Sequence, residues 1–450
     1  MSRVTEQLAK LLRRTRYEDI PPDCIRMAKL CLLDYLGVSL LGSKEPAARI
    51  INDFLSRSGG LPESTILYYG RKSSALSAAL ANGTFGHALD FDDDSSTGAG
   101  HLTTCIAPAL LALAEKTVKG GREILLSFVL AYEVGSILAR TLEPKETQRG
   151  WHATSTIGTF AATAGAAKLL GLGGKEIAHA FGIAATQTSG LRRNFGTMCK
   201  PFHAGKAAQR GVESSLLARM GFSADEKIFD GKWGVFEVFS GGSAQVRRKG
   251  FLIRENWFKP YPSCGCTHSA LDAAISLRSR HGIDPRKIER IEVGVLPIAF
   301  DTLLYEHPRT PYEAKFSMPF CVSLALLRGE VSVDRFSLAE MKDPLLKRLM
   351  KKVVMEVDPG LAAGGYRGTQ GATLRIRMGG GEILEEKVPA PRGHPRNPLP
   401  EETLLAKFRD CAKSLLPPGR IHSVADMIMN LEKMENVKAL MRSLKGTGKE

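Results

Sequence analysis

From the N-terminus to about residue 240, apolar residues recur every three or four positions, and Gly or Pro closes each run. That period is the signature of one face of an α-helix. It predicts helices over 25–41, 105–116, 124–140, 156–170 and 204–220. Several are rich in Ala and Gly, as in Ala161-Ala-Thr-Ala-Gly-Ala-Ala167. Small residues on broad apolar faces let helices approach closely, so this half is expected to be all-helical, with buried helices or a subunit interface.

Past Pro262 the period changes. The stretches 288–296 and 372–378 alternate apolar and polar, and the second is followed by Gly379-Gly-Gly381 and another strand-like run to Val388. Helical spacing returns between them at 313–328 and 338–354, so 265–390 reads as a compact α/β unit. A Pro-rich stretch, 389–400, then leads into Pro400-Glu-Glu-Thr, a helix start with acids in its first turn. The expected fold is mainly α. A large all-helical domain, 1–262 completed by 396–450, carries a smaller α/β lid domain, 263–395.

Composition agrees with two domains, because 450 residues exceed what one core supports. The opening MSRVTEQLAKLLRRTRYEDIPPD has no apolar secretory core, which makes the cytoplasm the expected compartment. No membrane span is expected either, since Ser127, Glu133 and Ser136 interrupt the most apolar window. The eight cysteines are dispersed and read as buried thiols; only Cys264-Gly-Cys266 is close-spaced, a weak metal signal. The net charge of +15 is spread out, apart from Arg247-Arg248-Lys249 and a cluster from Lys347 to Lys352. With no zinc finger, aromatic RNA-binding signature or complete dinucleotide fingerprint, nucleic acid is not an expected partner. A positive field also attracts small anions.

Four segments concentrate reactive side chains. Asn82-Gly-Thr-Phe-Gly-His87-Ala-Leu-Asp90-Phe-Asp92-Asp93-Asp94 places four carboxylates in five positions, and His101 follows a Gly-rich run. Such crowding needs a helix N-terminus, a cationic side chain or a metal in compensation. Asp90 and Asp94, four apart, would share a helix face and suit Mg²⁺, although no second acidic cluster accompanies them. His152, in Gly150-Trp-His152-Ala-Thr-Ser155-Thr156, stands just before a long Ala-rich helix, where Thr156 and Ser155 can cap it or hold an anion. Cys199-Lys200-Pro-Phe-His203-Ala-Gly-Lys206 is a carboxylate-binding set at a turn into a helix. Finally, Lys259-Pro-Tyr-Pro-Ser-Cys264-Gly-Cys266-Thr-His268 lies at the domain junction, where ligand clefts are frequent.

Taken in order, NGTFGHALDFDDD, GWHATSTIGTFAATAGAAKLLGL, KPFHAGKAAQRGVESSLLARMGF, KPYPSCGCTH, EAKFSMPF and HPRNPLPEETLLAKFRDCA make the chain resemble the MmgE/PrpD family of 2-methylcitrate dehydratases, cis-aconitate decarboxylases and iminodisuccinate epimerases. The resemblance implies a homodimer that needs no cofactor, and no metal is expected at the site. It places Asp90, His101, His152, Lys200 and Lys259 around a small polycarboxylate, and His268, Cys264, Asp94 and Thr156, which share their segments, are expected as further substrate contacts. It also marks three departures from the decarboxylase pattern: Asp94 for Thr, Cys264 for His and Phe320 for Tyr. The reaction implied is lyase chemistry beside a carboxylate. Dehydration of a 2-methylcitrate-like acid leads; epimerisation of an iminodisuccinate-like acid, cis-aconitate-type decarboxylation, a Mg²⁺ enzyme built on Asp90–Asp94 and a non-catalytic anion binder are the alternatives. In that chemistry Lys200 and Lys259 would stabilise a carbanion, His101 and His152 would move protons, and Asp90 would orient an imidazole or take a substrate hydroxyl.

Overall fold

A computed structural model describes residues 4–242, 250–362 and 370–447. The Arg247-Arg248-Lys249 cluster lies outside them. The chain is mainly helical. Pro22–Gly42, Ala75–His87, Thr103–Thr117, Gly121–Leu142, Ala153–Leu170 and Cys199–Arg219 pack round a first apolar core, which Glu401–Ala412 and Pro418–Met429 complete from the far end of the sequence. Small residues make this packing possible. A Cβ on Gly205 would lie 2.3 Å from the Leu80 carbonyl oxygen, and one on Gly211 would lie 2.5 Å from the Ala162 Cβ. The helices Ala75–His87 and Cys199–Arg219 therefore meet backbone to backbone. His87, at the end of one, faces Lys200, in the first turn of the other. Gly121–Leu142 is long and apolar enough to cross a bilayer by composition, yet 83% of its apolar window is buried inside the protein.

The second core surrounds a four-stranded sheet in the order Val353–Val357, Ile288–Val295, Ala372–Met378, Ile383–Val388. Ile288–Val295 runs parallel to Val353–Val357, pairing Ile291 with Val353, and antiparallel to Ala372–Met378, pairing Val293 with Leu374. Its inward side chains, Ile291, Val293, Leu374 and Ile376, are sealed by the helices His268–His281 and Met318–Arg328.

The structure corrects the sequence reading in three places. The helix expected over 313–328 begins at Met318, because Ser317 Oγ accepts from the Phe320 N–H and caps it; one turn, Pro311–Ala314, precedes it. The run 338–354 is two short helices, Leu338–Met341 and Pro344–Met350, capped by Ser337 and Asp343, and its last residues turn into the strand Val353–Val357. Above all, Asp90 and Asp94 share no helix face. The helix ends at His87, Asp90 takes a left-handed φ of 54°, and Asp94–Ser95 is a short strand antiparallel to Asn256–Trp257. That pairing, between segments 160 residues apart, brings the acidic turn against Lys259.

Candidate active site

Where the two cores meet, a cavity of about 210 Å³ is lined by Asp90, Asp94, His101, His152, Lys200, Lys259 and Cys264. The four crowded carboxylates are compensated by cationic and polar side chains, with His101 facing Asp90, Asp92 and Asp94 in common. Asp90 Oδ1 accepts from Lys200 Nζ at 2.7 Å and from Lys259 Nζ at 3.1 Å. Asp92 takes His87 Nδ1 at 2.9 Å and lies 3.2 Å from His101 Nδ1. Asp93 turns away from the cavity to Thr103 Oγ1, 2.6 Å, and Asn256 Nδ2, 2.9 Å. Asp94 accepts from the Ser95 N–H at 2.8 Å, with its second oxygen 4.0 Å from His101 Nε2.

Burial alone would raise the pKa of Asp90 and Asp92. Lys200 and Lys259 outweigh it at Asp90, and the two imidazoles outweigh it at Asp92, so both carboxyls fall well below the usual carboxylate range. Asp93 has no such cation, and burial, reinforced by the Asp34 carboxylate, pushes it up to about 8.

The histidines divide. Burial lowers His101, but the Asp92 and Asp94 carboxylates overcome it and leave its pKa above the ordinary value. Its Nδ1 lies 2.8 Å from the Asp93 carbonyl oxygen, which turns Nε2 toward the cavity. His152, just ahead of the helix Ala153–Leu170, is driven well below the ordinary value by burial and then by Lys200. Relative to an ordinary imidazole, His101 is thus biased toward its protonated form and His152 toward its neutral form.

Each lysine keeps a donor in reserve. Lys200 Nζ serves His87 Nε2, 2.7 Å, and Asp90; Lys259 Nζ serves the Asp90 carbonyl, 3.1 Å, and carboxylate. An ammonium has three N–H bonds, so among the described residues one on each has no hydrogen-bond acceptor. His87, Asp90, Asp92 and His101 also bring four metal-ligand atoms within 4.8 Å of one another. Lys200 already occupies His87 Nε2 and Asp90 Oδ1, so a divalent cation taking those two atoms would have to displace an ammonium. Protein cations do the compensating here.

The fit to known proteins runs along nearly the whole chain. The sequence model of the MmgE/PrpD N-terminal domain matches residues 6–247, and that of the C-terminal domain matches 261–433. The chain belongs to the MmgE/PrpD family. Its relatives include the cis-aconitate decarboxylases of Mus musculus, 28% identical over 98% of this chain and 93% of that protein, and Homo sapiens, 27% identical over 98% and 95%. The cis-aconitate decarboxylase of Aspergillus terreus is 24% identical over 98% and 96%.

Within this MmgE/PrpD chain, several residues named from sequence lie off the cavity, His203 and Lys206 among them. His268 is fully buried between Trp257 and Tyr261, its Nε2 3.2 Å from the Ser263 carbonyl oxygen, so it braces the junction loop. Thr156 Oγ1 is bound to Glu146 and to the His152 carbonyl oxygen. Phe320 packs against Phe336 in the second core. Other residues were missed. His87 and Asp92 belong to the same motif as Asp90, and their place within it was the available signal. Arg192 and His394 also line the cavity; His394 Nε2 lies 3.2 Å from Ser96 Oγ. Lys407, on Glu401–Ala412, was not singled out either. Its ammonium binds Asp34 Oδ1 at 2.7 Å, the Phe91 carbonyl at 2.7 Å and the Lys259 carbonyl at 3.0 Å.

Proposed function

We propose that the chain is a metal-independent lyase acting beside a carboxylate of a small polycarboxylic acid, a hydro-lyase of the 2-methylcitrate dehydratase kind. The observation that carries this reading is the pair of opposed imidazoles, His101 and His152, on one cavity with two lysines. Dehydration needs a base for the α-proton and an acid for the leaving hydroxyl in the same turnover. His152 Nε2 takes the proton, Lys200 and Lys259 hold the carboxylate whose enediolate forms, and His101 protonates the departing oxygen. Preorganised donors of this type contribute about 3–4 kcal/mol each. Asp90 keeps the two ammonium groups at one point. Asp94, lining the cavity, would accept from a substrate hydroxyl, which favours a hydroxy acid. A homodimer in the cytoplasm completes the proposal.

Decarboxylation of a cis-aconitate-like acid is the second reading, favoured by the names of the relatives. It needs the lysines and the acid, but no base. Proton NMR in D₂O on a panel of 2-methylcitrate, citrate, cis-aconitate and iminodisuccinate separates them. The expected result is an alkene from 2-methylcitrate with every carboxylate retained, undiminished by EDTA and abolished in Lys200→Ala. Carbon dioxide released from cis-aconitate alone would transfer the assignment to decarboxylation. Activity lost in EDTA and restored by Mg²⁺, or kept in Lys200→Ala, would overturn both.

A further inference from the structure

Behind His152 stands a second imidazole that the proposed reaction has not used. His203, one turn along Cys199–Arg219 from Lys200, places its Nδ1 3.0 Å from His152 Nδ1. Two imidazole nitrogens at that distance share a single proton, one donating and the other accepting. The geometry is held from both sides. The His152 backbone N–H donates to the Gly190 carbonyl at 3.0 Å. Gly190 has φ 128°, and a Cβ there would lie 2.5 Å from the Ser155 Cβ and 3.6 Å from His203 Cγ. Only glycine lets this loop press on the pair.

The two rings open in different directions. His152 lines the cavity and His203 does not. His203 keeps 8% of its surface exposed. Burial lowers His203 to about 4, helped by Lys200 and Arg210; burial and then Lys200 lower His152 as well, with His203, His87 and His101 the other titratable groups facing it. Neither ring holds a second proton at rest.

We propose that His203 is a positioning residue and proton relay for His152: it accepts the His152 Nδ1 proton, which leaves Nε2 bare toward the cavity, and it links that base to solvent. The proposal rests on His152 acting as the base. When His152 Nε2 takes the substrate proton, the Nδ1 proton moves to His203 Nδ1, and the His203 Nε2 proton passes to water. Both rings are then neutral in the opposite tautomers. The path runs back when His152 gives its Nε2 proton, through cavity water, to the His101 that has just protonated the leaving hydroxyl. His203 regains a proton from solvent, so the balance closes on one alkene and one water.

Two experiments test it. Nitrogen-15 NMR of the imidazoles needs no substrate. The parent protein is expected to carry the His152 proton on Nδ1, and His203→Phe to lose that preference; a parent with the proton on Nε2 overturns the proposal. On whichever acid of the panel is consumed, His203→Ala is expected to lower kcat about 100-fold, the size of a typical proton-transfer contribution, with KM unchanged. Free imidazole should restore part of the rate, and recovered substrate should take up solvent deuterium more slowly than with the parent. Full turnover in His203→Ala, or a loss that imidazole does not relieve in a protein with the parental Tm, overturns the relay. His152→Gln keeps the two ideas apart, since its full activity would remove the base assignment itself, whatever His203 does.

Discussion

At the site, one carboxylate is expected to set the alkaline edge of activity. His101 has its pKa raised against burial by Asp92 and Asp94, so its acid form persists as pH climbs and is lost only above the ordinary histidine value. Asp94→Asn removes one of the two anions, and the alkaline limb of kcat/KM should then move to lower pH. An unmoved limb would mean that another group is the acid. Asp93 supports a stability test of fixed sign. Its folded pKa of about 8 lies above the unfolded value near 4, so its contribution is present in full in acid and drains away as pH rises between those two values. Asp93→Asn holds a neutral group there permanently. Its Tm advantage over the parent is expected to grow between about pH 5 and about pH 8. Asp90, Lys200 and Lys259 were legible because each sits in a short cluster of reactive side chains, whereas Arg192 does not. The directions of His268, Thr156 and Phe320 were not, because spacing along a chain says nothing of which wall a side chain enters.

Helices were the legible elements, since three- and four-residue periodicity survives over the fifteen to twenty-two residues of Thr103–Thr117, Gly121–Leu142 and Cys199–Arg219. Short strands were not. The spacing of Leu345, Leu346, Leu349, Met350 and Val353 continues as if helical through the turn at Lys351-Lys352, and it concealed Val353–Val357. A two-residue strand such as Asp94–Ser95 has no period to read. Close helix contact, anticipated from Ala and Gly content, has a measurable consequence at Gly205. Gly205→Ala drives a methyl into the Leu80 carbonyl and Thr84 Oγ1, both 2.3 Å from the ideal Cβ position. Overpacking of this kind costs about 1–3 kcal/mol. It also parts the two helices that bring Lys200 to His87. Denaturant unfolding should show the loss of stability, and a parental midpoint would mean that the helices separate without cost.

Across the whole molecule, the cavity is assembled from both cores, with its groups drawn from residues 90 to 394. Lys407 extends that span. Its three N–H bonds tie the backbone just after Asp90 to the backbone of Lys259, with Asp34 as counter-ion. Lys407→Met strands a buried carboxylate and two carbonyls, and breaking a buried pair in this way costs about 3–5 kcal/mol. Unfolding midpoints should fall accordingly, with kcat reduced more than KM is raised; an unchanged kcat would show that Asp90 and Lys259 keep their places unaided. The same contact imposes an order on biosynthesis. While the chain is still being made, the helices that carry His87, His152 and Lys200 have left the ribosome, but the tie at residue 407 has not. A nascent protein of this sequence should therefore remain catalytically silent until the segment beyond residue 400 emerges and folds back, so that little polycarboxylate is processed by unfinished chains.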